Sequence, residues 1–377
     1  MSASISYLTT IRFGEGAVGE IDEDLGALGI SRALIVADAG VVAAGLVERV
    51  TDAVPAERIA GVFDGTPSNP TQRAAEKALD LYRETGADGL IAIGGGSPID
   101  LAKAVALMAT HEGPFDSYAA VLGGIPRITA AVAPLIAVPT TAGTGSEVGR
   151  AALVTLDDGR KLGFISPHMI PNRAVCDPEL TYGMPPGLTA ATGMDAISHC
   201  IETYLSPRFN PPAEAIALDG LARAVASLPK AVEDGADVGA RREMMIAALH
   251  GGLTFQKGLG AIHAISHPLG GLEEPSLHHG TLNAVLLPHV LRFNEAAAPG
   301  KYAAMREVVG IAPDADLAGY FEALNATIGM PKTLSEMGLP RQAIPPIVEG
   351  ALKDHSVPTN PRALDAASVK ALMEAAY

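Results

Sequence analysis

Leu90-Ile91-Ala92-Ile93 is an unbroken apolar run, and Gly94-Gly95-Gly96-Ser97 follows it directly. A helical stretch then continues through Met108. An apolar strand, a glycine turn and a helix together make half of a βαβ unit. Similar runs surround this one. Residues 33–37, 59–63 and 135–138 read as further buried strands, and residues 41–50 and 71–85 as helices. The alternation predicts a parallel sheet with helices on both faces. Residues 150–155 and 161–165, joined across Asp157-Asp158-Gly159, predict a β-hairpin. After Met184-Pro185-Pro186 the pattern changes. Alanine- and leucine-rich stretches at 188–204, 213–228, 241–257 and 282–297 predict helices, with no strand among them. The expected organisation is an α/β domain over 1–185 and an all-α domain over 186–377.

Two glycine clusters compete for a phosphate. Gly14-Glu15-Gly16-Ala17-Val18-Gly19 matches G-x-G-x-x-G, and Asp38 lies downstream at a strand end. The preceding residues are largely polar, however, and Ile11-Arg12-Phe13 makes a poor core strand, so this cluster reads as a turn. Gly94–Ser97 sits where a phosphate loop belongs, between a strand and a helix with Pro98 in its first turn. Gly95, Gly96 and Ser97 let the backbone approach a pyrophosphate, and helix N-terminal amides complement its charge. A second polar loop, Pro139-Thr140-Thr141-Ala142-Gly143-Thr144-Gly145-Ser146-Glu147, follows the next strand. Two such loops at neighbouring strand ends form a ligand crevice. Asp38 is either an exposed turn residue or a partner for a ribose diol, which would favour NAD over NADP.

Four of the ten histidines fall within twenty residues of one another: His263, His267, His278 and His279. His263 and His267, spaced i, i+4, share a helix face before Pro268 and Gly270-Gly271 end it. A loop carrying Glu273 and Glu274 follows. Imidazoles gathered in a chain with only Cys176 and Cys200 point to a metal centre or an acid–base site.

Composition removes several function classes. The formal charge of −15 argues against non-specific binding to nucleic acid or an anionic membrane. The apolar run ending at Val138 is short and interrupted by Pro134, so it is no membrane span. No basic residue precedes Arg12, and nothing near it has the core of a signal peptide. Two cysteines fit a reducing compartment. A cytoplasmic location is expected.

Taken together, these stretches resemble the iron-containing (group III) alcohol dehydrogenase family. Gly94-Gly-Gly-Ser-Pro-Ile-Asp100-Leu-Ala-Lys103 matches its first glycine motif, and residues 139–147 match its second loop. Gly193-Met-Asp195-Ala-Ile-Ser-His199, His263-x-x-x-His267-Pro-Leu-Gly270, His279-Gly280 and Asn360-Pro361-Arg362 follow in the family's order. The resemblance implies the dehydroquinate synthase-like fold, with an α/β nucleotide domain and a helical metal domain. It implies divalent iron, or zinc, held by Asp195, His199, His263 and His279. It also implies NAD contacts from the first loop through Asp100 and from Thr140, Thr141, Thr144 and Lys161, and a homodimer or larger oligomer. The stretch from His263 to His279 is longer than is usual in the family, which makes His278 a rival ligand. His267, one turn past a ligand, is the expected proton-handling residue. The reaction implied is hydride transfer between nicotinamide and a small alcohol or carbonyl compound activated by the metal. The alternatives are a metal-independent enzyme resembling maleylacetate reductase, which the acidic Asp195 argues against, and a non-catalytic nucleotide- or metal-binding protein.

Overall fold

The computed structural model describes residues 5, 7, 9–272 and 274–377. Glu273 lies outside the described residues. Contact density divides the chain into two units. One takes Tyr7–Thr141 and Gly145–Thr181; the other is built on Tyr182–Tyr377 and includes Ala142–Thr144.

The first unit holds the strands β1 (Thr10–Phe13), β2 (Ala33–Val36), β3 (Ile59–Phe63), β4 (Gly89–Gly94), β5 (Leu135–Pro139), β6 (Ala151–Thr155), β7 (Lys161–Ile165) and β8 (Arg173–Cys176). Its longer helices are α1 (Ile21–Leu28), α2 (Ala39–Ala43), α3 (Leu46–Thr51), α4 (Gln72–Glu84) and α5 (Gly96–Met108). Six strands form one all-parallel sheet in the order β1-β8-β5-β4-β2-β3. Alternate residues of its central strands enter two separate cores. Leu34, Leu90, Ala92 and Ala137 pack on one face, and Ile35, Ile91, Ile93 and Val138 on the other. Burial on both faces accounts for the continuous apolar runs in the sequence. The antiparallel pair β6–β7 is the expected hairpin.

Two features depart from expectation. Residues 41–50 do not form one helix: α2 and α3 are separated at Gly45, whose φ of 71° breaks the helical path. Ile11-Arg12-Phe13 does belong to a strand, but β1 is an edge strand of the sheet, paired with β8 alone. Arg12 and Arg173, one from each of these strands, both bond the buried Asp24 of α1. That ion cluster explains the charge in strands that otherwise lack a core pattern. Gly14 and Gly16 follow β1 at positive φ and lead into a short 3₁₀ turn at Ala17–Glu20.

The second unit is helical among the described residues: α6 (Pro186–Leu205), α7 (Pro211–Glu233), α8 (Val238–Leu253), α9 (Ala261–Leu269), α10 (His279–Asn294), α11 (Pro299–Val308), α12 (Leu317–Thr327), α13 (Ile344–Leu352) and α14 (Ala366–Ala376). The α6 helix is buried almost throughout and packs on α7, α8 and α10. Of the described residues, none lies in a helix long and apolar enough to cross a membrane.

Candidate metal and cofactor site

Asp195 and His199 project from one face of α6, a turn apart. His263 comes from the first turn of α9, and His279 is the first residue of α10. The α10 helix packs on α6 because a small residue lets it approach. A Cβ placed on Gly280 would lie 2.1 Å from the carbonyl oxygen of Ala191, so only glycine lets the first turn of α10 rest on α6. That contact delivers His279 to Asp195.

The resulting geometry is convergent. The Nε2 atoms of His199, His263 and His279 lie 3.4, 3.6 and 3.6 Å from a single oxygen, Asp195 Oδ1. Donors about 2.0–2.2 Å from a tetrahedral ion are about 3.3–3.6 Å from one another, so the distance of each imidazole from Asp195 suits Zn²⁺ or Fe²⁺, and Asp195, His263 and His279 each bring a donor atom within 4.8 Å of the other two. Burial alone would raise the Asp195 carboxyl, but the imidazoles, His199 foremost, hold it well below the usual carboxylate range. Burial pushes His199 down to about 4, against the pull of Asp195. Burial likewise opposes charge on His263, yet hydrogen bonds to Asp195 and Glu202 raise it to about 9. A buried carboxylate facing three imidazoles is an electrostatic arrangement that a divalent cation completes.

Two further residues support this set. Glu202, the next residue on the same face of α6, accepts a hydrogen bond from His263 Nδ1 at 2.6 Å. This leaves Nε2 as the metal-facing nitrogen, the usual carboxylate–histidine device at metal sites. Asn283, one turn beyond His279, donates from Nδ2 to Asp195 Oδ1 at 2.7 Å and lies 3.3 and 3.2 Å from the Nε2 atoms of His263 and His279. The positive end of its amide thus points to where the donors converge. Neither residue was singled out in the sequence. The signal was present: Asp195, His199 and Glu202 repeat at i, i+4, i+7, and His279 and Asn283 at i, i+4.

His278 is turned elsewhere. It is the exposed N-cap of α10, and its Nδ1 lies 3.4 Å from the Thr281 hydroxyl. His267 also stays out of the four-donor set. Its Nδ1 bonds Asp354 Oδ2 at 2.8 Å, and its ring stacks on His279 with centroids 5.6 Å apart.

The nucleotide motifs gather in the other unit. Gly94 of β4 pairs in register with Pro139 of β5, so both glycine loops leave the sheet side by side. Gly94 has φ of 148°, and a Cβ there would come 2.5 Å from the Pro98 ring; glycine is required for the chain to turn so sharply into α5. Gly95 caps α5 without any side-chain hydrogen bond, which leaves the helix's first amides directed at a potential anion. Thr141 packs beside Gly95, and the Thr140 amide donates to the Gly94 carbonyl at 3.0 Å. Asp38 lies two residues past β2 and caps α2 through the Val41 amide at 2.9 Å. Asp100 is engaged within the protein, accepting from Ser146 Oγ at 2.6 Å and the Leu153 amide at 3.0 Å. Ser97 Oγ donates to the Ser68 carbonyl and Lys161 Nζ to Asn69. Thr144 is grouped with the helical unit.

The comparisons with known proteins decide the lineage. Residues 9–178 match the model for iron-containing alcohol dehydrogenases, and residues 189–377 match that for the family's C-terminal part. The chain belongs to the iron-containing alcohol dehydrogenase family. It is 52% identical to a 4-hydroxybutyrate dehydrogenase from Cupriavidus necator, over 99% of both chains. A crystal structure of a 1,3-propanediol oxidoreductase superposes with a TM-score of 0.93 at 34% identity, covering 100% of both chains. The sulfoacetaldehyde reductase of Bifidobacterium kashiwanohense, solved in complex with NAD⁺, superposes at 0.90 with 28% identity, over 100% of this chain and 99% of the other. The chain is an oxidoreductase of the alcohol dehydrogenase type that acts on a small molecule, and its family uses NAD(H) and a divalent metal, typically iron.

Proposed function

We propose that this enzyme interconverts a short ω-hydroxy acid, of which 4-hydroxybutyrate is the first candidate, and its aldehyde, with NAD⁺ as the oxidant. The relative at 52% identity is named for that substrate and matches along nearly the whole chain. The single observation that carries the chemistry is the convergence of three imidazole nitrogens on Asp195 Oδ1 at 3.4–3.6 Å.

In this reading Asp195, His199, His263 and His279 hold Fe²⁺ or Zn²⁺. When bound, the ion supplies Lewis-acid polarisation of the substrate oxygen, and the nicotinamide supplies the hydride acceptor. In the oxidative direction the alcohol gives up a hydride and a proton, leaving the aldehyde, NADH and H⁺. His267 takes the proton at Nε2, because Asp354 occupies its Nδ1. The uncapped amides of α5, with Gly95, Gly96 and Ser97, hold the pyrophosphate. The Asp38 carboxylate selects the ribose diol of NAD over the 2′-phosphate of NADP. Thr140, Thr141, Thr144 and Lys161 complete the cofactor contacts, and Asp100 holds the loop that carries Ser146. The domain over 1–185 thus serves the nucleotide, and that over 186–377 the metal and substrate. A cytoplasmic homodimer or larger homo-oligomer is the working form.

The test is NADH formation, followed by absorbance, with 4-hydroxybutyrate, 1,3-propanediol and simple primary alcohols, before and after chelation. The expected result is a kcat/KM highest for the hydroxy acid, lost with chelator and restored by Fe²⁺ or Zn²⁺. Equal rates for the uncharged diol would reject the substrate assignment, and full activity after complete metal removal would reject the ligand set.

A further inference from the structure

A second cluster of metal-ligating side chains stands beside the first without sharing a donor with it. Asp354 and His355 follow the end of α13, which packs against α9 and so brings them to His267. His267 Nδ1 lies 2.8 Å from Asp354 Oδ2, and His355 Nδ1 lies 3.7 Å from Asp354 Oδ1. The rings of His267 and His355 stack with centroids 5.5 Å apart and planes inclined by 19°. One donor atom from each of the three residues falls within 4.8 Å of the other two. Asp354 is fixed in place by the Ser356 amide, which donates to Oδ1 at 2.8 Å.

We propose that His267, Asp354 and His355 form a second divalent-metal site, selective for Zn²⁺-like ions and weaker than the site at Asp195. Two imidazoles and one carboxylate are a donor set that transition ions accept while water fills the remaining positions. Donors about 2.0–2.2 Å from an ion stand about 2.8–3.6 Å apart for cis or tetrahedral arrangements. The separations of 2.8 and 3.7 Å bracket that range. His355, whose side chain is 38% exposed, is the solvent-facing member of the set. The arriving ion takes the place of the proton between His267 Nδ1 and Asp354 Oδ2; on a neutral ring that proton moves to Nε2, and from a doubly protonated ring one proton leaves to bulk water. Three donors bind less tightly than four, so the site fills second.

An ion here also ties His267 to a fixed position and charge. Inhibition by excess zinc follows, and this consequence rests on the proposed proton-handling role of His267; the binding itself does not.

The decisive experiment is equilibrium dialysis of the full chain, loaded first with one equivalent of Zn²⁺, against rising free Zn²⁺ with metal analysis of the protein. The wild-type chain is expected to rise from one to two ions, and His355→Ala to remain at one. NADH formation by the wild type should fall over the range in which the second ion enters, while H355A should need about tenfold or more zinc for the same loss. His355→Gln, which keeps a polar side chain at this surface position, guards against a folding defect: loss of only the second ion in either variant upholds the site. A wild-type chain that saturates at one ion overturns it, as does a second ion retained by both variants. Uptake of a second ion without inhibition upholds the site and overturns the role given to His267.

Discussion

Glu202 and His263 are joined by a 2.6 Å hydrogen bond from the imidazole Nδ1 to a carboxylate oxygen. The same carboxylate accepts from the Gly260 amide at 3.0 Å and the Ile262 amide at 2.6 Å, so one buried side chain caps α9 and orients its metal-facing histidine. Glu202→Gln keeps an acceptor at only one of the two oxygen positions and loses the negative charge beside His263. Chelator-competition measurements should show metal affinity reduced by about 10–100-fold in E202Q, and further in Glu202→Ala. Unchanged affinity in both variants would remove Glu202 from the metal site.

His263 and His267 lie one turn apart on α9, and each gives its Nδ1 to a carboxylate, Glu202 for one and Asp354 for the other. Their substitutions should nevertheless separate. His263→Ala removes a nitrogen that faces Asp195 Oδ1, and both bound metal and activity should disappear. His267→Ala should keep one ion per chain while kcat falls by about 10²–10⁴-fold and its pH profile changes. Metal analysis beside steady-state kinetics distinguishes them; loss of the high-affinity ion in H267A would make His267 a ligand.

Much of this arrangement was legible in the sequence, for reasons that differ by residue. The runs that became β2, β4 and β5 stand out because burial on both faces demands unbroken apolar stretches. Arg173-Ala-Val-Cys176 did not stand out, since its first residue is a cation whose partner, Asp24, is 149 positions away. The spacing of Asp195 and His199 showed that they share a helix face. No local pattern announces that Asp354 meets His267 across 87 residues, because helix packing alone brings them together. His278 and His279 differ by one position in sequence. Only the start of α10 at His279, pressed onto α6 at Gly280, turns one of them toward Asp195 and leaves the other at the surface.

That contact is itself testable. Gly280→Ala places a methyl group against the Ala191 carbonyl, where the ideal position is 2.1 Å away. The backbone must yield, and α10 is displaced from α6. Overpacking of this kind costs about 1–3 kcal/mol. Because His279 is the adjacent residue, the loss should appear in metal affinity as well as in thermal stability. A G280A protein with wild-type metal affinity would show that His279 does not depend on this helix contact.

The last expectation concerns pH and lies in the α/β unit. Glu147 ends the second glycine loop and is 3% exposed; burial raises it to about 7, against the attraction of Lys103. Burial pushes Lys103 down to about 8, partly offset by Asp100 and Glu147. Below the ordinary glutamate value of 4.5, Glu147 carries its proton in both folded and unfolded chains and has no effect on the pH dependence. As pH rises toward 7 the unfolded chain releases the proton readily while the folded chain resists, so stability is lost through that window and levels off above it. The shift corresponds to roughly 3 kcal/mol at most. Glu147→Gln should be close to wild type near pH 4.5 and more stable at pH 8, with part of the gain cancelled because Lys103 loses an opposite charge. Thermal midpoints across pH 4.5–8 should therefore diverge as pH rises, by roughly 2–4 °C per kcal/mol for a unit of this size. Parallel curves, or a difference largest in acid, would show that Glu147 ionises in the folded chain as readily as in water.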